Sequence, residues 1–279
     1  MINVETKDNL LPSLSISIVL YRPELEILTR TLDSLHEAWA AVSSGACLIL
    51  YLVDNNEPDS EPCSLPDLEH HYPLFCSEWI IGHGNIGYGK GHNLAISRTI
   101  SDFHLVLNPD VFLKKDCLEQ CLRFFEQHED SGLVVPEARC ENGQMQFIAK
   151  RYPSILVLFL RAWGNPWLNH RFRHALEQYE YRDKLPAQSP VEVNIASGCF
   201  MLFRTAYLQR VGGFSPNYFM YFEDFELSLR FTKVAKIMHL PSAKITHLGG
   251  GASTKNWQHI RMFMRSAVTF FRRNGVKLV

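Results

Sequence analysis

The sequence lacks the features that would place it across a membrane, in an oxidising compartment or on a polyanion. The apolar stretch Ile155 to Leu160 is stopped by Arg161, and no apolar run approaches the roughly 18 residues a bilayer span needs. No N-terminal stretch passes from basic to apolar as a signal peptide does, and the seven cysteines are an odd number scattered among apolar residues. A reducing cytoplasm is therefore the expected compartment. Neither sign of charge dominates: 28 Lys and Arg against 29 Asp and Glu leave a net charge of -1, which gives no whole-molecule pull toward nucleic acid. Internal repeats and low-complexity linkers are absent too. What is plentiful is apolar side chain, 46% of 279 residues, ample for a substantial core.

Ser15 to Leu20 reads as a strand, and Pro23 with Glu24 and Glu26 opens a helix whose Leu25, Leu28, Leu32, Leu35 and Trp39 share one face. Cys47 to Val53, Trp79 to Ile81 and Phe103 to Leu107 read as further strands, with a glycine-rich loop and a helix near Asn93 to Ile100 after the second of them. A helix over Asp116 to His128, then strands at Leu133 to Val135, Val191 to Arg204 and Lys236 to Leu240, complete the pattern. Such alternation predicts an α/β fold with a mostly parallel central sheet flanked by helices and active groups in the loops after the strands. Cys117 and Cys121 lie four apart on the face of Leu118, Leu122 and Phe125, which suits core packing better than zinc.

Asn108-Pro109-Asp110 follows the apolar run Phe103 to Leu107, and Glu223-Asp224 follows the aromatic cluster Tyr218 to Phe222. A carboxylate at the C-terminal end of a buried strand sits where open α/β sheets bind ligands, and its oxygens suit Mg²⁺ or Mn²⁺. Asp224 can serve as a base or simply favour a helix N-terminus. His247, between Lys244-Ile245-Thr246 and Gly249-Gly250-Gly251, can reach a metal or a phosphate. Asp54 after its strand can accept from a base or ribose, although Asp-Asn-Asn is also turn chemistry.

Gly82-His83-Gly84-Asn85-Ile86-Gly87 matches the dinucleotide pattern G-x-G-x-x-G. Against a nicotinamide oxidoreductase stand the two βα units before it and Tyr88-Gly89-Lys90-Gly91, which read as loop where a dinucleotide-binding helix should already be running. A single unit from Asn85 to Asn93, its glycines permitting close backbone approach, is the preferred wall of a nucleotide site. Two stretches lack acids, Asn142 to Leu176 and Lys255 to Val279. In the second, Trp257, Ile260, Met264, Ala267 and Phe271 recur at helical spacing, either to pack on the sheet or to meet an anionic membrane surface.

Val19 to Pro23, Val53-Asp54-Asn55, the Asn85 to Asn93 loop, Leu107 to Asp110, Ser197-Gly198, Gly212-Gly213-Phe214, Phe219 to Asp224 and His247 together resemble family-2 glycosyltransferases, above all bacterial rhamnosyltransferases. The resemblance implies one GT-A-like domain over 1–279: a nucleotide-sugar half at about 14–115, an acceptor and catalytic half at about 116–254, and a basic amphipathic helix at about 255–279. It implies a donor site of Tyr21, Pro23, Asp54, Asn85, Gly87, Tyr88, Gly91, Asn93, Asn108 and Asp110. Acceptor contacts fall to Ser197, Gly198 and Glu223, the base to Asp224, and Mg²⁺ or Mn²⁺ to Asp110 and His247. The implied reaction is inverting transfer, foremost of L-rhamnose from dTDP-rhamnose with UDP-sugars also open, onto a saccharide acceptor, lipid-linked or of the lipopolysaccharide type, at a cytoplasmic or peripheral site. Arg22 stands where the family commonly has Asn, Ser215-Pro216 replaces an acidic residue, and Glu226 replaces the second Asp of E-D-x-D; the last two bear on acceptor positioning. A nucleotidyltransferase would want a basic glycine-rich loop after the first strand, which Tyr21-Arg22-Pro23 is not. A sugar-binding module without turnover is the remaining alternative.

Overall fold

A computed structural model of the chain describes residues 13–42, 48–57, 65, 68–249 and 257–278. Strand β1 (Leu14–Leu20) is buried along its whole length, with Leu14, Ile16, Ile18 and Leu20 on one face and Ser15 and Ser17 on the other. Burial on both faces is what a strand inside a helix-covered sheet must tolerate. Helix α1 (Leu25–Ala40) lays Leu28, Leu32, Leu35 and Trp39 on the core, each contributing about 1.5–3 kcal/mol of burial. Leu25, expected on that face, stays 51% exposed because it opens the helix ahead of the first packed turn. Next come β2 (Leu48–Asp54), α2 (Leu68–His71), β3 (Phe75–Ile80), α3 (Tyr88–Ile96), β4 (Phe103–Leu107), β5 (Val111–Leu113) and α4 (Cys117–Gln127). Cys47, assigned by sequence to the second strand, falls outside the described residues.

The second half contains β6 (Ser131–Arg139), β7 (Met145–Gln146), β8 (Ala149–Lys150), α5 (Ile155–Trp163), α6 (Pro166–Arg171) and α7 (Arg173–Tyr179). It continues through β9 (Val191–Glu192), β10 (Ile195–Ala196), β11 (Phe200–Arg204), α8 (Thr205–Arg210), α9 (Glu223–Phe231), β12 (Lys236–His247) and α10 (Trp257–Asn274). One sheet crosses both halves in the order β3-β2-β1-β4-β11-β6-β12-β5. It is parallel from β3 to β4, β11 enters antiparallel between β4 and β6, and β12 runs parallel to β6. The predicted strand Val191 to Arg204 is thus three short ones: β9 pairs β12, β10 pairs β8, and β11 joins the main sheet. The strand predicted at Lys236 to Leu240 continues to His247, where it pairs β5.

The parallel register aligns strand ends. Leu20 stands beside Asp54 and Ile18 beside Leu107, so Tyr21, Asp54 and Asn108 emerge on one edge, the ligand-binding edge of an open α/β sheet. Beneath α3, Ser17 Oγ bonds His92 Nδ1 at 2.7 Å and His104 Nε2 at 2.9 Å, and Ser15 Oγ bonds His104 Nδ1 at 2.8 Å. This file satisfies polar groups in an otherwise apolar interior. Burial pushes the His104 imidazole down to about 3 and His92 well below its ordinary range.

Helix α10 packs Ala267 and Phe270 on Tyr218 and Phe222. Trp257, Ile260 and Met264 remain exposed, so the predicted apolar face is split between a buried and a solvent stripe. No helix among the described residues is long and apolar enough to cross a membrane.

Candidate active site

Three segments meet at the Tyr88 hydroxyl. It lies 2.6 Å from the Gly198 carbonyl and 3.0 Å from the Asn108 side chain. The hydroxyl proton is thus aimed at two acceptors, the Gly198 carbonyl and Asn108 Oδ1, of which the carbonyl is the nearer. Burial, then the charges of Cys199, Glu223, Asp224 and Asp110, push the Tyr88 phenol well above its ordinary range. These residues, far apart in the chain, share one neighbourhood.

Asp224 stands in the first turn of α9, where two consecutive residues, Tyr221 and Phe222, hold positive φ of 70° and 65°. Such backbone costs on the order of 1–3 kcal/mol per residue and gathers at functional sites. The Asp224 side chain is fixed from both sides: Gly198 N–H donates to Oδ2 at 2.9 Å and Phe225 N–H to Oδ1 at 2.9 Å. Gly198 can approach because a Cβ there would lie 3.2 Å from the Tyr88 ring. Burial raises the Asp224 carboxyl to about 6 against those hydrogen bonds. Glu223 is raised to about 8, by burial and then by the Asp224 charge, and its Oε2 is buried without a hydrogen-bond partner. The two adjacent carboxyls therefore disfavour each other's ionisation.

Asp110 precedes β5, whose Val111 pairs with His247 at the end of β12. Thr31 Oγ1 of α1 donates to the Pro109 carbonyl at 2.7 Å and steadies the segment. His247 Nε2 lies 3.5 Å from Asp110 Oδ1. The tautomer follows from Gln146, whose Nε2 donates to the His247 carbonyl at 2.8 Å, leaving Oε1 to accept from His247 Nδ1–H at 2.8 Å. With Nδ1–H held by Gln146, His247 presents Nε2 to a carboxylate oxygen of Asp110, and the two would hold a cation between them. The described residues gather no group of three or more His, Cys, Asp or Glu for a metal. Two protein ligands with substrate phosphates and water suit Mg²⁺ chemistry, so the pair fits the expected ion. Gln146 was invisible to sequence reasoning because nothing in Gln144-Met145-Gln146 forms a motif.

The remaining expected donor residues divide. Tyr21 is 45% exposed at the strand edge, beside half-buried Pro23 and Arg22 at φ 48°. Asp54 closes a turn by accepting from Asn56 N–H at 2.9 Å, and Asn85 does likewise with Gly87 N–H at 3.1 Å. Asn93 is a clamp within the protein: its amide accepts from Phe214 N–H at 2.8 Å and donates to the Phe214 carbonyl at 2.7 Å. The glycines also serve packing. A Cβ on Gly87 would lie 2.3 Å from the Phe219 carbonyl oxygen, and one on Gly91 would lie 2.9 Å from Val19. Ser197 bonds the Cys199 thiol, which burial pushes up to about 12. Glu226 is held by Arg230 at 2.7 Å, and Arg230 also donates to the Gly213 carbonyl at 2.7 Å, which ties Glu226 to the Gly212-Gly213 turn.

One ground for setting aside a dinucleotide site fails. Helix α3 begins at Tyr88, immediately after the third glycine of the motif, and not near Asn93. The objection that replaces it is positional: Tyr88 N–H donates to the Phe219 carbonyl at 3.0 Å, and the Gly87 backbone is pressed on the same residue, so protein fills the place of a pyrophosphate.

The sequence profile of "Glycosyl transferase family 2" matches residues 15–212. The chain belongs to glycosyl transferase family 2. Asp224 and His247 lie beyond the matched span. An N-acetylglucosaminyl-diphospho-decaprenol L-rhamnosyltransferase of Mycobacterium tuberculosis (strain ATCC 25618 / H37Rv) is 28% identical over 181 residues, 58% of this chain and 56% of its own. Rhamnosyltransferase WbbL of Escherichia coli (strain K12) is 27% identical over 169 residues, 57% of this chain and 59% of its own. The matched regions thus span well under two thirds of these relatives. In fold, the family-2 chain resembles S. aureus TarS 1-349 in complex with UDP-GlcNAc, at TM-score 0.58 and 17% identity, covering 95% of this chain and 68% of that one. It also resembles GalNAc-T7 with UDP, GalNAc and Mn²⁺, at TM-score 0.58 and 13% identity, covering 85% and 43%.

Proposed function

We propose that this family-2 protein is an inverting glycosyltransferase that moves L-rhamnose from dTDP-rhamnose onto a lipid-linked saccharide in cell-surface polysaccharide synthesis. The observation that carries the reading is Asp224, a half-buried carboxylate locked by two backbone N–H groups and joined through Gly198 and Tyr88 to the Asp110 segment. Rhamnose as the sugar is supported by the names of both curated relatives, and a lipid-linked acceptor by that of the mycobacterial one. UDP-sugars are the second donor class, since the TarS and GalNAc-T7 structures were determined with UDP compounds.

In this mechanism Asp224 accepts the proton of an acceptor hydroxyl while that oxygen attacks the anomeric carbon from the side opposite the nucleoside diphosphate. One bond forms as the other breaks, and the configuration inverts. Glu223, beside the base, orients the acceptor. Tyr21, Asp54 and Asn108 hold the donor at the strand edge, with Asp110 and His247 at its diphosphate. A divalent cation on Asp110 and His247 would neutralise the departing diphosphate.

The deciding experiment is a thermal-shift panel of dTDP, UDP, GDP and NAD with Mg²⁺ or Mn²⁺, repeated with chelator, since a ligand of the native state raises Tm. Metal-dependent stabilisation by dTDP is the expected result; stabilisation by NAD alone, indifferent to metal, overturns the reading. We further propose that the protein docks at the cytoplasmic face of a membrane through Trp257, Ile260 and Met264 with Arg261 and Arg265 of α10, a reading supported by their exposure. Failure to float with anionic vesicles would remove that docking.

A further inference from the structure

A cavity of about 400 Å³ opens between α5, α6 and α7, with Arg161, His170, Arg173, Glu177, Glu180 and Arg182 in its wall. At its inner side, three cations converge on one carboxylate. Lys150 Nζ lies 3.3 Å from Glu180 Oε1, Arg161 bonds the same oxygen, and Arg182 bonds Oε2 at 2.7 Å. Arg173 pairs with Glu177 at 3.4 Å. Four cations against two carboxylates leave two positive charges uncompensated within the cluster. Burial pushes the Glu180 carboxyl up, but Lys150 and the two guanidiniums outweigh it and hold it below the ordinary range. Burial likewise brings Lys150 down to about 8, opposed by Glu180 and assisted by Arg161 and Arg182. A single carboxylate does not require three partners, and packing like charges together is costly unless a further anion shares them.

The cluster stands on the acceptor side of the proposed base. Strand β8 pairs Lys150 with Ile195 and Ala149 with Ala196, and the chain then runs through Ser197 to Gly198, which holds Asp224. Tyr179 lies between: Lys150 Nζ is 5.3 Å from its ring centroid, and Arg161, Asp224 and Glu180 all act on its hydroxyl. Arg161 and Arg182 keep 45% and 49% of their side chains exposed while each spends part of its fork on Glu180. A guanidinium fork matches phosphate geometry better than an ammonium does. Helix α5, which carries Arg161, also exposes Ile155 and Phe159, each 45%. Apolar surface thus accompanies the cationic cavity. The donor diphosphate belongs elsewhere, at Asp110 and His247.

We infer that this cavity binds the diphosphate of a prenyl-linked acceptor, with Arg161 and Arg182 as its ligands and Lys150 as the buried counter-charge. The inference deepens the glycosyl-transfer reading, from which it takes the word acceptor, but its test needs neither donor nor turnover. Inorganic pyrophosphate and farnesyl diphosphate are titrated calorimetrically into the whole protein with EDTA, which silences any metal-dependent diphosphate site. Wild type should bind both, farnesyl diphosphate more tightly. Arg161→Ala/Arg182→Ala should weaken both at least tenfold, and Asp110→Ala should leave both unchanged. If the alanine pair fails to fold by circular dichroism, Arg161→Lys/Arg182→Lys, which keeps the charge and loses the fork, should weaken binding at least threefold. Equal binding by the variants, or none by wild type at millimolar ligand, overturns the site. Phosphatidylglycerol vesicles separate bulk headgroups from acceptor: vesicle binding that needs Arg161 and Arg182 without farnesyl diphosphate binding would overturn the acceptor assignment. Diphosphate binding in a protein that transfers no sugar would uphold the cavity and sink the reaction instead.

Discussion

Replacing Asp224 by Asn separates chemistry from stability, and the structure sets both magnitudes. Raising the carboxyl from 3.8 to about 6 corresponds to about 3 kcal/mol of folding penalty on the ionised form. The folded value lies above the unfolded one, so the penalty is absent below the unfolded value and present in full above about 6. Asn removes that penalty but offers one acceptor oxygen to two N–H groups, from Gly198 and Phe225. Leaving one donor unsatisfied costs about 1–3 kcal/mol. The two effects nearly cancel, so Tm should move little. Transfer should fall by about 10²–10⁴, the usual contribution of a general base. Wild-type kcat/KM should rise with pH through about 6, and the variant's residual rate should lack that limb. Glu223→Gln should keep the limb, because Glu223 is still protonated when Asp224 titrates, and abolish any event near 8. The assay is sugar transfer across pH with thermal melting in parallel; turnover by Asp224→Asn within tenfold of wild type would refute the assignment.

Gln146→Leu should weaken Mn²⁺ binding by about 10–100-fold, since orienting partners of metal-binding histidines typically contribute that much; calorimetric titration with Mn²⁺ and nucleotide reads it, and unchanged affinity contradicts the tautomer argument. Gly87→Ala places a Cβ 2.3 Å from the Phe219 carbonyl oxygen at φ +91° and should cost about 3 kcal/mol or more; an unshifted denaturant midpoint speaks against it. His92, His104 and His239 are all held neutral by burial, His239 at about 4. Their folded values lie below the unfolded one, so their stability is whole above about 6.5 and drains as pH falls. In a Glu223→Gln/Asp224→Asn background, which removes two carboxyls titrating in the opposite sense, going from pH 7.5 to 5.5 should cost about 4 kcal/mol in urea unfolding. A flat midpoint would show those imidazoles are hydrated.

The sequence by itself determined the α/β class, the order of βα units in the first half and the strand end and helix start at which Asp110 and Asp224 lie. Each of those signals is local: alternation and helical periodicity are written in neighbouring residues, and strand ends carry their turn chemistry with them. It also marked the acid-free stretches that become α5, α6 and α10. The tertiary structure alone decided what depends on residues distant in the chain. It split Val191 to Arg204 among three pairings, because each piece found a different neighbouring strand. It started α3 at Tyr88 despite Gly89 and Gly91, because Phe214 and Val19 occupy the space their side chains would need. It set the Asn93 amide against both backbone groups of Phe214, 121 residues away. It brought Gln146 to His247, 101 residues away, and gathered Lys150, Arg161 and Arg182 around Glu180. Periodicity reports which face of an element is buried, whereas the partner it meets there is fixed only when the whole chain packs.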